Sequence, residues 1–320
     1  MTPTPRTVPI TSAPAEALRI LGELGEELAL AGGVEAKAAV EPLVTGVRAG
    51  ELPGILWVGP QDEAVGIAWW EPPSEAGRRA GLFLSGGYRT EAALRGLLEA
   101  TETAPGGPLL EVSDQIAGVP PLLRARVLSA GGFREVSRID LAWPPGRPVE
   151  PAPPPSRGTA RPLRREDEPA LSVLLDRAYS DNPIDLALFR QRRDRRADSV
   201  DAIHLLLAGE LGPWVPSASY GVEENGRLLA ATIVNDYRGA LITEVMVDPD
   251  ARRQGLARCL LLHSLQGLRA LGREDIRLVV TLTNDPAYRL YSSMGFTPLP
   301  ATQGSTWLHV ARLGLAPQAA

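Results

Sequence analysis

A single cysteine, Cys259, stands in the 320 residues of the chain, which excludes an intrachain disulfide framework and suits a reducing compartment. Histidine is scarce as well: three residues, scattered, with one thiol, form no zinc-type spacing, so no metal is expected. Lysine is almost missing, Lys37 being the one example, whereas arginine is common. No apolar run approaches the roughly 20 residues that cross a bilayer, so no membrane partner is expected. Met1 to Pro9 is rich in proline and threonine and lacks the apolar core of a signal peptide. The formal net charge of −5 gives no general attraction for nucleic acid, and no aromatic-basic stripe offers a local one. What is present, 44% apolar and 22% charged residues, describes a soluble globular protein, expected in the cytoplasm. The length allows two domains of ordinary size.

Proline marks the boundary between them. Residues 144–158 contain seven prolines and cannot form a helix or a central strand, so they are expected as an extended linker between domains 1–143 and 159–320. In the first domain a short strand near Val8 precedes a helix from Pro14 to Leu30 carrying Leu18, Leu21, Leu24 and Leu28, ended by Gly32-Gly33. A helix over 36–49 follows, then strands over 54–58, 64–70 and 80–84, a helix over 91–100, a strand over 109–112, a helix over 121–130 and a strand pair over 134–143. Trp69-Trp70 is expected to divide between a core face and a surface patch. The second domain repeats the order. It reads as a strand (159–163), a helix (166–179), a break at 180–183, a helical region (186–210), a hairpin turning at Glu224-Asn225-Gly226-Arg227, a strand (240–247), a helix (256–271), a strand (276–282), a helix (286–294) and a last strand (306–312). Arg190 to Arg196 is expected as a solvated helix face. The shared order, with Gly132-Phe133 placed like Gly295-Phe296, points to an internal repeat.

The densest chemistry lies between the strand ending at Val247 and the helix starting at Leu256. A helix start carries backbone N–H groups without intrahelical partners and the positive end of the helix dipole, which makes a seat for phosphate. Gly255 lets an oxygen approach the backbone, and Arg252 and Arg253 add positive charge. The stretch Val247-Asp248-Pro249-Asp250-Ala251-Arg252-Arg253-Gln254-Gly255-Leu256-Ala257 resembles the acetyl-CoA loop of the GCN5-related N-acetyltransferase (GNAT) superfamily. A second block, Asn284-x-x-Ala287-x-x-Leu290-Tyr291-x-x-x-Gly295-Phe296, resembles the segment that follows it in that family.

The resemblance implies an α/β (α+β) chain of two tandem GNAT folds, each a mixed, mostly antiparallel twisted sheet flanked by helices. It implies acetyl-CoA as co-substrate, held by Met246, Val247, Arg252, Arg253, Gln254, Gly255, Leu256, Ala257 and Asn284. The pantetheine arm would lie where the strands ending at Val247 and Leu282 splay apart. Tyr291 matches the family's proton donor to the departing sulfur. Glu244, on the strand leading into the loop, is the candidate general base, with Asp236 in reserve. A backbone N–H near Val247 would serve the developing oxyanion. The first copy lacks this chemistry: Ser85-Gly86-Gly87-Tyr88-Arg89-Thr90-Glu91 stands where the loop would be, Glu91 would place a negative charge near the phosphates, and Leu128 stands where the second copy has Tyr291.

The function implied is acetyl transfer to a primary amine of a small molecule or peptide, with a second copy of the chain as a candidate partner in a homodimer. The alternative is a non-catalytic acyl-CoA-binding regulatory module. The acceptor pocket is expected from Asp181-Asn182, Trp214 to Ser219 and Asn235 to Tyr237. Cys259, among leucines, is expected as buried filler, and its i,i+4 neighbour His263 as incidental.

Overall fold

The computed structural model describes residues 6–70, 77–113, 119–182, 184–185, 199–209 and 211–315. The chain forms two compact units, Met1–Val136 with Ser305–Ala320, and Ser137–Gly304. Both are mixed, mostly antiparallel sheets flanked by helices.

The first unit contains β1 (Arg6–Pro9), α1 (Pro14–Ala38), α2 (Glu41–Ala49), β2 (Gly54–Val58), β3 (Ala64–Trp70), β4 (Arg78–Leu84), α3 (Glu91–Thr103), β5 (Leu109–Ser113), α4 (Pro121–Ala130) and the start of β6 (Phe133–Ala142). Its strands pair β1-β2-β3-β4-β5, with β4 and β5 parallel, and β5 then pairs with residues 306–308 of β12 (Thr297–His309). Strand alternation sends Trp69 and Trp70 to opposite faces. Neither reaches the surface: Trp69 packs with Ile20, Leu21 and Leu24 of α1, and Trp70 with Leu94 and Leu97 of α3. The expected surface patch is therefore absent, because helices cover both faces of this sheet.

Helix α1 runs through Gly32 and Gly33 to Ala38. Each interior glycine costs about 1 kcal/mol against alanine, and the helix formers on either side carry the helix through. The chain turns instead at Ala39-Val40, between α1 and α2, and again at Gly50, whose φ of 72° closes α2. The strand pair expected over 134–143 is the single strand β6.

The second unit begins within β6 and contains β7 (Thr159–Pro162), α5 (Glu168–Tyr179), α6 (Ser199–Ala208), β8 (Tyr220–Glu224), β9 (Arg227–Asp236), β10 (Ala240–Val247), α7 (Leu256–Ala270), β11 (Ile276–Thr281) and α8 (Asp285–Met294). Its strands pair β6-β11-β10-β9-β8-β7, again with one parallel pair, β10·β11. The β8–β9 turn places Asn225 and Gly226 at φ 52° and 77°, the left-handed values a tight hairpin requires. Met246 is buried with Leu171 and Leu174 of α5 and Ile203 and Leu206 of α6, while Leu261 and Leu265 of α7 pack on Val234 and Ile242. The expected helical region 186–210 is α6 at its end, and residues 186–198, with Arg190 to Arg196, lie outside the described residues. No helix among the described residues is long and apolar enough to cross a membrane.

Residues 144–158 belong to this second unit. An extended proline-rich chain leaves its carbonyls unused, and side chains of α7 take them: Cys259 Sγ donates to Pro153 O and Gln266 Nε2 to Glu150 O. Ser156 Oγ donates to Gln254 O at 2.8 Å, which fastens the segment beside the loop before α7.

Candidate active site

The site begins with a fault in the β9–β10 ladder. Ile242 faces Val234, but the next aligned pair is Glu244 with Ile233, so Thr243 is an extra residue. A bulge of this kind re-aims the side chains beyond it. Thr243 Oγ1 lies 2.9 Å from Asn235 Oδ1 and 3.1 Å from Ile233 O, and buried Asn235 is itself fixed by donating to Leu206 O and Gly212 O.

Pairing between β10 and β11 ends at Ile242 with Leu278, although β10 continues to Val247 and β11 to Thr281. The strands therefore part over the stretch that carries Glu244. Asp248 N–H donates to Leu229 O at 2.8 Å, toward β9. By strand alternation, Met246 turns its backbone groups the same way, and Val245 and Val247 turn theirs into the opening. Of the backbone contacts expected for an acyl carrier near Met246, Val247 and Asn284, Val247 turns away from β9, its carbonyl accepting from Arg252 Nε at 3.4 Å, and Met246 turns toward β9; the Met246 side chain is buried.

Beyond Val247 the loop is held by ion pairs. Asp248 is 1% exposed and accepts from Arg177 Nε at 2.6 Å, from Arg227 and from the Asp250 N–H at 3.0 Å. Arg177, first among these, holds its carboxyl well below the usual carboxylate range. Arg252 turns inward, where it pairs with Asp181 and donates to Ala178 O at 2.7 Å, so its guanidinium braces the loop against the end of α5. Arg253, at φ 63°, Gln254 and Gly255 are exposed. Gly255, at φ 77°, is the N-cap of α7 and supplies no side-chain cap, and a Cβ there would meet nothing within 4 Å. Leu256 anchors the helix start in the core, and Ala257 is half-buried. The result is a helix start with open N–H groups facing free space, which suits a phosphate.

The corresponding helix of the first unit is built differently. Thr90 caps α3 by accepting the Ala93 N–H at 3.2 Å, and Glu91 in its first turn pairs with Arg95 and Arg126. Both features satisfy the helix start from within the chain. Leu128 is fully buried in the core.

Glu244 is half-buried, and its Oε2 accepts a hydrogen bond from Tyr179 Oη at 2.8 Å. Tyr291 is buried on α8, with its ring 6.1 Å from Phe296 in an edge contact. Burial, and then the negative charges of Glu244 and Asp185, push its phenol up. Burial followed by Glu244 does the same for Tyr179. Asp185 accepts from Thr281 Oγ1 at 2.6 Å, Asn182 Nδ2 at 2.6 Å and Asn284 Nδ2 at 2.8 Å. Asn284 also caps α8 by accepting the Ala287 N–H, so its side chain is already engaged.

Sequence reasoning missed Tyr179, Asp185 and Arg177 as site residues. The reserve base Asp236 is excluded by its surroundings: it lies at the β9–β10 turn, before the bulge, with both carboxyl oxygens bound to Arg273, which lowers its pKa. In the expected acceptor pocket, Trp214 donates to Ser219 Oγ, which also accepts the Val234 N–H, so these groups serve packing. Cys259 is buried, and burial raises its thiol pKa; His263 stacks on Tyr220 with ring centroids 5.0 Å apart.

Residues 165–296 match the acetyltransferase (GNAT) family model, a span that holds β10, the loop, α7 and α8. Residues 165–296 are a GNAT-family acetyltransferase domain. Among its relatives, the mycothiol acetyltransferase of Thermomonospora curvata is 29% identical over 292 residues, 86% of this chain and 90% of that protein. The ribosomal protein bS18 alanine N-acetyltransferase of Escherichia coli is 35% identical over 79 residues, 24% of this chain and 53% of the relative. A GCN5-related N-acetyltransferase from Sphaerobacter thermophilus superposes with a TM-score of 0.59 at 16% identity, covering 96% of each chain. A tandem GNAT protein from the clavulanic acid biosynthesis pathway gives 0.51 at 17% identity, over 95% of this chain and 98% of that one. At such identities these two structures establish the GNAT fold.

Proposed function

We propose that this acetyltransferase moves the acetyl group of acetyl-CoA to a primary amine, that its second unit holds the site, and that its first unit binds no acyl-CoA. The observation that carries the reading is the open helix start at Gly255, beside the parted ends of β10 and β11, with Glu244 on β10 and Tyr291 on α8. The open N–H groups of α7 fit a pyrophosphate, and the Val245 and Val247 backbone groups fit the amides of a pantetheine arm. Acetyl-CoA supplies an activated thioester acyl group.

An amine of pKa near 10.4 is mostly ammonium at pH 7, and deprotonating it there costs roughly 4–5 kcal/mol. Glu244 takes that proton, directly or through water. The Val247 N–H, aimed into the opening, stabilises the developing oxyanion. Tyr291 donates to the departing sulfur, and burial beside two carboxylates keeps its phenol protonated for that task. Relatives named for mycothiol acetylation match most of the chain, whereas the relative that acts on a ribosomal protein matches a short stretch, which supports a small-molecule acceptor.

The test is a calorimetric titration of the full chain with acetyl-CoA. One site per chain is expected, abolished in Gly255→Glu and retained in Gly255→Ala, which shares the backbone strain but adds no charge. Two sites would overturn the reading of the first unit, and no binding would overturn the proposal.

A further inference from the structure

One face of the second unit's sheet is packed: Ile139 and Leu141 of β6, Leu278 and Val280 of β11 and Ile242 of β10 lie against α7 and α8. Strand alternation turns Arg138 and Asp140 of β6, and Arg277 and Thr281 of β11, to the opposite face. The bulge at Thr243 puts Glu244 there too, on the side of Met246 rather than that of Ile242. Contacts bear out these directions. Thr281 Oγ1 donates to Asp185, Glu244 accepts from Tyr179, and Arg277 pairs with Asp140 at 3.2 Å. In the β6–β11 ladder Arg138 stands opposite Thr281, at the end where β10 and β11 have parted. It is thus two strands from Glu244, roughly 10 Å in backbone spacing.

The charges on this face are unequally engaged. Arg277 is held by Asp140 and by the carbonyls of Tyr237 and Arg238 at 3.0 and 2.8 Å. Asp185 is held by three neutral donors, from Asn182, Thr281 and Asn284. Arg138 is half-buried, its Nε is buried without a hydrogen-bond partner, and among the described residues no carboxylate forms an ion pair with it. A buried N–H without an acceptor costs free energy, and an anion arriving there would relieve that cost. The planar guanidinium fork matches the paired oxygens of a carboxylate or a phosphate.

We propose that Arg138 selects the acceptor by binding an acidic group, a carboxylate or a phosphate, on the far side of the substrate from the amine that Glu244 receives. This rests on the reading of Glu244 as the base. The face is dipolar, with the carboxylates of Glu244 and Asp185 at the parted strand end and the Arg138 guanidinium two strands away. The substrate class that fits is an amine joined to an acid group through a short spacer, such as an amino-sugar phosphate or an ω-amino acid. A solvated arginine that merely balances Asp140 would instead treat acidic and neutral acceptors alike.

The experiment follows thiol release from acetyl-CoA by the full chain with two matched pairs of acceptors. Glucosamine is compared with glucosamine 6-phosphate, and 4-aminobutyramide with 4-aminobutyrate, so that the acid group is what changes within a pair. Wild type is expected to show the higher kcat/KM for the acid member of one pair, and which pair tells phosphate from carboxylate. In Arg138→Gln the ratio of acid to neutral kcat/KM should fall about 10–100-fold, the worth of hydrogen bonds between charged groups, with calorimetric acetyl-CoA affinity retained. Arg138→Lys, which keeps the charge without the fork, should keep part of the preference. No preference for either acid in wild type, an unchanged ratio in Arg138→Gln, or no turnover of any of the four by a chain that binds acetyl-CoA overturns the proposal. Full turnover in Glu244→Gln overturns the base reading and the proposal with it, whereas failure to bind acetyl-CoA removes the proposed function itself.

Discussion

Replacing Asp248 by asparagine removes one charge from the middle of the loop and almost no volume. The carboxylate is 1% exposed and accepts from Arg177 at 2.6 and 3.0 Å, from Arg227, and from the Asp250 N–H. Asparagine keeps an oxygen for the Asp250 N–H but turns the interaction with two guanidinium groups from attraction into, at best, a neutral contact. Hydrogen bonds to buried charged groups contribute about 1.5–3 kcal/mol each. The two arginine side chains are 42% and 50% exposed, so water can rehydrate them, and Arg177 keeps Asp250 at 2.8 Å. The net loss is therefore about 2 kcal/mol rather than the full sum. For a unit of this size that lowers Tm by about 4–8 °C. The sign with pH follows from the lowered carboxyl. Its contribution is fully present above the unfolded carboxylate value near 3.9 and is lost as pH falls through the folded value below it. Thermal melts of wild type and Asp248→Asn should differ by a constant amount from neutral pH to about pH 5, with the gap closing only well below pH 4. Equal melting temperatures at neutral pH, or a gap already closed at pH 5, would refute the ion-pair account of the loop.

Tyr291→Phe should lower kcat about 100-fold or more while leaving calorimetric acetyl-CoA affinity intact; an unchanged kcat would remove the acid role. Because burial raises its phenol, wild-type turnover should show no alkaline fall near pH 10, where an ordinary tyrosine ionises, and a fall there would count against Tyr291 as the donor. Cys259→Ala loses one thiol contact to Pro153 O and should cost about 1 kcal/mol with turnover unchanged. In the native protein the thiol should label slowly, and fast labelling would contradict its burial.

What could be read from the chain is what is encoded locally. Apolar spacing and turn residues placed nearly every element, and the two sequence blocks placed the loop, Gly255 and Tyr291, because each block is a run of neighbours along the chain. Gly32-Gly33 misled because a glycine pair stops a helix only where the backbone turns, as it does at Gly50. The partners of charged and phenolic groups were not legible. Arg252 beside a phosphate loop invites a phosphate role, yet it is bound to Asp181, 71 residues earlier. Tyr179 and Glu244 are 65 residues apart, and nothing local links a helix-terminal tyrosine to a strand carboxylate.

The contrast between the two helix starts carries this further. A side-chain cap is worth about 1 kcal/mol over alanine but only about a few tenths over glycine, and α3, with Thr90 at its cap and Glu91 in its first turn, is the locally consistent design. Helix α7 forgoes that gain: it begins at a left-handed glycine with no side chain to cap it. A ligand can repay that loss only if it brings negative charge to the same N–H groups. A repeat that had lost its ligand would gain stability by acquiring a cap, and one that kept its ligand would be penalised for it. The unit with the uncapped helix start is therefore the one expected to bind, and Gly255 against Thr90-Glu91 separates the two units as Tyr291 against Leu128 does.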